Sequence, residues 1–286
     1  MPWKPERGKV QGMTRRQISN SRTFSGLCGL LLLVAIPARA VGEPQAAAVS
    51  GFNSYVGAVE ARLARQHRSQ DGFLAPVASG AQSEERLRRG ELIVEQITPA
   101  AGEGLPGALL HHWRGTAFAP GAKAADFERL MKDFNAYPQH FSPQVIQAKV
   151  LAQDGDRLQA SMRVRQRHVI TVVMDSSYDV SFGRLDPQHG YSSSESTRIS
   201  EIYSHGTGSE RVLNSSEEHG FLWRLNTYWS YEERNGGLYM QVESVSLSRS
   251  IPAGLGWVVG PFVESIPRES LEFTLRSTCN ALRNRR

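Results

Sequence analysis

Two long strands rich in aromatic residues, joined by a tight turn and followed by a single amphipathic helix, fill the stretch from Gly220 to Arg283 and restrict the folds open to this chain. Phe221, Trp223, Leu225, Trp229 and Tyr231 share one parity, while Leu222, Arg224, Asn226, Tyr228 and Ser230 share the other, the period-two pattern of a strand. Arg234-Asn235-Gly236-Gly237 is a hairpin signal, because Asn and Gly accept the positive φ angles of a two-residue turn. The returning strand, Leu238 to Arg249, stops at Ile251-Pro252, since proline cannot donate a ladder hydrogen bond. Pro267 suits the first turn of the helix, whose Leu271, Leu275, Thr278 and Leu282 mark one apolar face. A sheet that ends in one helix packs by laying that helix across its face, enclosing a core or a cavity.

The opposite end of the chain reads as an export signal outside the fold, residues 1–40. Arg15, Arg16 and Arg22 precede an apolar run from Leu27 to Ile36, and Ala38-Arg39-Ala40 offers a signal peptidase small residues at alternate positions. The run, roughly a dozen residues, falls short of the ~20 that span a bilayer, so no transmembrane anchor is expected after cleavage. The expected location is periplasmic or secreted. The leader also carries the apparent basicity: the chain has 33 basic and 28 acidic residues, and without residues 1–40 it has 26 against 27. Composition then gives no reason to expect nucleic acid as a partner. Cys279 is the one cysteine beyond the leader, so no intrachain disulfide is expected there.

Residues 41–108 read as an N-terminal extension. After an Ala-rich, frayed start at 41–50, Phe52, Tyr55, Val56, Val59 and Leu63 recur at helical spacing. Gly72 to Ser83 is loop-like, Arg86 to Ile97 starts as helix and ends as strand, and Pro99 to Gly107 is a connector. Residues 109–286 are more regular. A strand around Leu110 to Phe118 leads to a helix striped by Phe127, Leu130, Met131 and Phe134, which Tyr137-Pro138 ends. Four segments follow at meander spacing, Val145 to Ala152, Arg157 to Gln166, His168 to Phe182 and Tyr191 to Tyr203.

The run Phe127-Glu128-Arg129-Leu130-Met131-Lys132-Asp133-Phe134, then Tyr137-Pro138 and Phe141-Ser142-Pro143, resembles the opening of the START-like superfamily, also called helix-grip or SRPBCC. The closing segment, Gly237 through Ile251-Pro252 to the helix with Leu271 and Leu275, resembles the end of the same superfamily, so the likeness covers about 175 of 286 residues. It implies an α+β, helix-grip fold: a curved antiparallel sheet of about seven strands wrapped on a long C-terminal helix, here with an N-terminal helical extension. Members include lipid-transfer domains and polyketide cyclases, which implies a hydrophobic or lipid-like small molecule as ligand and no cofactor.

The residues expected to line such a cavity are Trp223, Asn226, Tyr228, Trp229, Glu243 and Trp257. Their faces depend on the hairpin register. A two-residue turn at Asn235-Gly236 sets Trp229 against Val242 and Tyr228 against Glu243, whereas a three-residue loop with a bulge at Gly236 sets Trp229 against Gln241 and Tyr228 against Val242. Several chemical signals fail on inspection. Gly254 to Gly260 has glycines at suggestive spacing, but Pro252 and Pro261 flank it and leave no uninterrupted helix for a pyrophosphate. Adjacent His111 and His112 point to opposite faces of a strand and make no metal pair. Arg163, Arg165 and Arg167 share one strand face, either the solvated outside of the sheet or a basic stripe for an anionic group. With no nucleophile or zinc motif present, no catalytic or metal residue is assigned. Binding of a hydrophobic or amphipathic small molecule is the leading expectation. The alternatives are a cyclase or dehydratase using Tyr228 or Glu243, and an envelope interaction module docking a partner through the helix Phe52 to Leu63.

Overall fold

The computed structural model describes residues 42–77, 82–97, 104–167, 170–251 and 256–284, the last stretch with side chains from 265 onward. In chain order the elements are α1 (Ala46–Gln66), α2 (Ser83–Arg88), β1 (Ile93–Gln96), β2 (Ala108–Pro120), α3 (Ala124–Lys132), α4 (Tyr137–His140), β3 (Val145–Asp154), β4 (Arg157–Arg167), β5 (Thr171–Arg184), β6 (His189–Tyr203), β7 (Arg211–Val212), β8 (Arg224–Arg234), β9 (Gly237–Arg249) and α5 (Gly256–Asn284). The strands form one antiparallel sheet in the order β1-β2-β9-β8-β6-β5-β4-β3, with β7 paired to β6. Two strands go beyond the expected seven or so: β1 comes from the N-terminal extension, and β7 is two residues long.

The β8–β9 turn settles the register. Asn235 and Gly236 have φ of 55° and 77°, the two positive angles of the two-residue turn. Tyr228 therefore faces Glu243 and Trp229 faces Val242. The same parity runs into β2, where Arg114 pairs with Glu243 and Gly115 with Val242.

The sheet curls tightly around α5. A side-chain carbon on Gly115 of β2 would lie 2.6 Å from Leu275 and 3.1 Å from Leu271, so the helix packs directly on that backbone. Gln166 of β4 donates to Ser270 Oγ at 2.9 Å. On a flat sheet, β2 and β4 in this order would stand about 24 Å apart at about 4.8 Å per strand. Adjacent residues of one helix reach both, which requires the sheet to close around it. Phe127, Leu130 and Met131 of α3 fill the end of this inner side with Trp229, Tyr231, Met240 and Val242.

The other side of the sheet is covered by α1. Phe52, Val56, Val59 and Leu63 pack on Tyr228, Val245, Leu247 and Trp223, each burial stabilising by about 2 kcal/mol. The apolar face expected to receive a partner is thus buried within the chain. The helix also starts at Ala46, inside the stretch expected to be frayed, because Ala48 is fully buried.

Four further expectations are corrected. Tyr137-Pro138 opens α4 rather than ending α3, proline lying at the start of a helix where no donor is needed. Phe221 and Trp223 precede β8, because Gly220 turns the chain at φ 77°. Trp223 consequently faces α1 instead of sharing the side of Trp229. Finally, α5 begins at Gly256 and runs through Pro261 and Pro267, so neither proline sets its start and Gly256–Gly260 is helical.

Candidate functional site

On the helix-facing side, the strands carry a graded set of side chains. A cross-strand row runs from Trp113 of β2 through Ser244 of β9 and Thr227 of β8 to Ser194 of β6. Farther along, β4 presents Met162 and Val164, paired with Ser176 and Met174 of β5. Trp113, Ser244, Thr227, Ser194, Met162 and Val164 all face α5, yet each is only half-buried. Trp113, Met162 and Val164 pack on the core that holds Leu271 and Leu275 and keep partial exposure, unlike the neighbouring row of Gly115, Val242 and Trp229, which is buried. Glu201 closes one end of the inner side. It is buried, and its carboxylate accepts from the backbone N–H groups of His219, Gly220 and Phe221 at 2.9–3.1 Å, tying the loop before β8 across the sheet end.

The α1 side is chemically different, built around a buried ionic cluster. Glu243 is 2% exposed and accepts from Arg62, from His112 Nε2 at 2.9 Å and from Arg114 Nε at 3.1 Å. A carboxylate only accepts, so Nε2 donates to it, and Nδ1 on the other side of the ring hydrogen-bonds the Tyr55 hydroxyl at 2.7 Å. Burial alone would raise the Glu243 pKa, but the His112 hydrogen bond and the charges of Arg114 and Arg62 outweigh it and hold the carboxyl at about 2. Nearby, the Tyr228 hydroxyl donates to Glu60 at 2.8 Å and accepts from Asn226 at 3.2 Å. Burial pushes the pKa of that hydroxyl far up.

The expected lining set is therefore divided. Trp223, Asn226, Tyr228 and Glu243 lie under α1, whereas Trp229 faces α5. Trp257 falls in the first turn of α5, and its side chain lies outside the described residues. A general acid or base at Glu243 or Tyr228 loses its basis, since a carboxylate held at about 2 is a poor acid and a poor base, and neither residue reaches the inner side. His111 and His112 do point to opposite sides, pairing with Ser246 and Val245 respectively. Arg163 lies on the outer face, paired with Asp175 at 2.6 Å and Glu210 at 2.5 Å. Sequence reasoning missed Trp113 and Glu201. An aromatic residue in an unremarkable strand and a glutamate between a serine and an isoleucine carry no pattern of their own.

An antiparallel sheet closed on its C-terminal helix, entered by a strand and a helical section, defines a helix-grip protein. No family model matches the chain, and no curated protein does. Among solved structures it is similar to the STAR-related lipid transfer protein of Xanthomonas axonopodis, at 16% identity over 66% of this chain and 98% of that one, with a TM-score of 0.42. It is also similar to human STARD10, at 9% identity over 73% and 80%, TM-score 0.44. A third is the Zhui aromatase/cyclase of a Streptomyces species, at 13% identity over 62% and 96%, TM-score 0.41.

Proposed function

We propose that this protein is an exported binding protein that holds a hydrophobic or amphipathic, lipid-like small molecule between the sheet and α5. The observation that carries this reading is the half-buried strip of methionine, valine, tryptophan and hydroxyl side chains beneath the helix. Sites for such ligands combine apolar surface with placed polar groups, and this strip sets three hydroxyls beside Trp113, Met162 and Val164. Export is proposed from the leader pattern of residues 1–40. Native mass spectrometry of the protein purified from its producing cell, followed by organic extraction, tests the carrier reading. A stoichiometric apolar molecule is the expected result. A protein that flies at its bare mass, and stays bare after incubation with a lipid extract, refutes it. Fractionation of the same cells with N-terminal sequencing tests export, with an N-terminus near Val41 in the extracytoplasmic fraction as the expected outcome.

A further inference from the structure

The inner side of the sheet is polar at one edge and apolar at the other, and this asymmetry bears on how a ligand lies. At the β2–β9 edge, Ser244, Ser246 and Ser248 occupy alternate positions of β9 and face the same side as Trp113. Trp113 Nε1 and Ser248 Oγ there are buried without a protein hydrogen-bond partner. An indole N–H can only donate, so the partner it lacks is an acceptor. A buried donor left unmade costs about 1–3 kcal/mol, enough to discriminate between ligands that do and do not satisfy it. Toward β4 the hydroxyls give way to Met162 and Val164, with Met174 buried beside them. The row from Ser194 continues to Val180 of β5 and Leu158 of β4, both buried, while Met162 and Val164 lie four and six residues farther along β4; beside Trp113, on the same side of β2, stands His111.

Resting on the carrier reading, we propose that the ligand lies obliquely across the strands, with a hydrogen-bond-accepting end, such as a ketone or ester carbonyl, at Trp113 Nε1 and its hydrocarbon end over Met162 and Val164. The row of serines on β9 leads from Trp113 to the strand end and gives the polar end further hydroxyl partners.

Two naphthalenes of nearly equal size test this, 2-hexanoylnaphthalene and 2-hexylnaphthalene, which differ in one carbonyl. Calorimetric titration of the full chain should show both bound and the ketone bound about fivefold more tightly, the effect of one net hydrogen bond. Trp113→Phe keeps the aromatic bulk and removes the donor, so the preference should vanish while the hydrocarbon still binds. Infrared spectroscopy of the ketone labelled with carbon-13 at the carbonyl gives a readout independent of the variant's folding: the stretch should move to lower frequency when bound to the wild type. Equal affinities in the wild type, an unshifted stretch, or a preference that survives in Trp113→Phe would each overturn the orientation and leave the carrier reading standing. If neither probe binds, the carrier reading fails and the orientation with it.

Discussion

Replacing Glu243 by Gln tests the α1 side most directly. The residue is buried, with two arginines and one histidine around its carboxylate. In the folded protein the carboxyl titrates at about 2, against 4.5 for the free group. At about 1.4 kcal/mol per unit, that depression corresponds to about 3 kcal/mol of folding stability. Because the folded pKa is the lower one, this stability is fully present above pH 4.5 and is lost as the pH falls toward 2. At pH 3 the unfolded chain has taken up the proton and the folded chain has not, so about 2 kcal/mol of it is gone. At pH 6, Glu243→Gln should be less stable than the wild type by about 3–5 kcal/mol, as expected when one partner of a buried ionic cluster is removed. Urea unfolding of both proteins at pH 6 and pH 3 gives the comparison, and carboxylates common to both cancel in the difference. The gap should narrow by about 2 kcal/mol at the lower pH. A gap that stays constant would refute the claim that the ionised carboxylate is what His112, Arg114 and Arg62 stabilise.

Three further outcomes follow from the packing. Gly115→Val drives a side chain into Leu275 and Leu271, already 2.6 Å and 3.1 Å from where its first carbon would stand; it should cost about 1–3 kcal/mol, read as a lowered midpoint in urea. At Gly236 nothing crowds an added carbon, but φ is 77°, so Gly236→Ala should cost about 1–2 kcal/mol through the backbone alone, seen as a lower thermal midpoint. Burial pushes the Cys279 thiol up to about 11 from 9.0, so at pH 8 the folded protein should react with iodoacetamide about a hundredfold more slowly than the urea-unfolded chain. Equal rates would contradict that burial.

The strands and the closing helix were legible because their patterns are local. Val145, Arg157 and Tyr203 begin or end strands where alternation and turn residues place them. The register at Asn235-Gly236 was not, since the same two residues serve a two-residue and a three-residue turn, and only the pairing with β2 and β9 separates them. The face assignment failed for a related reason. Nearly every residue of β9 is buried, so its sequence shows no alternation between a wet and a dry side. Tyr228 and Trp229 are both aromatic and both buried, yet they serve different layers. The resemblance that suggested the fold does not extend to α1, and α1 is what makes the second side of the sheet an interior.

That second interior explains how the chain distributes its charges. The Glu243 cluster and the Glu60–Tyr228 hydrogen bond all lie beneath α1, where each charge finds partners from two elements. Placed beneath α5 instead, any one of them would be desolvated without those partners, at a cost of several kcal/mol per unpaired ion. The described helix-facing strip avoids this by using indole, hydroxyl and thioether groups, whose desolvation one hydrogen bond can offset or which need none. The N-terminal extension thus bears on the α5 side of the sheet through strands that both sides share. α1 packs on β8 and β9 and joins Arg62 to Glu243 of β9, and β2, β8 and β9 carry Trp113, Thr227 and Ser244 toward α5.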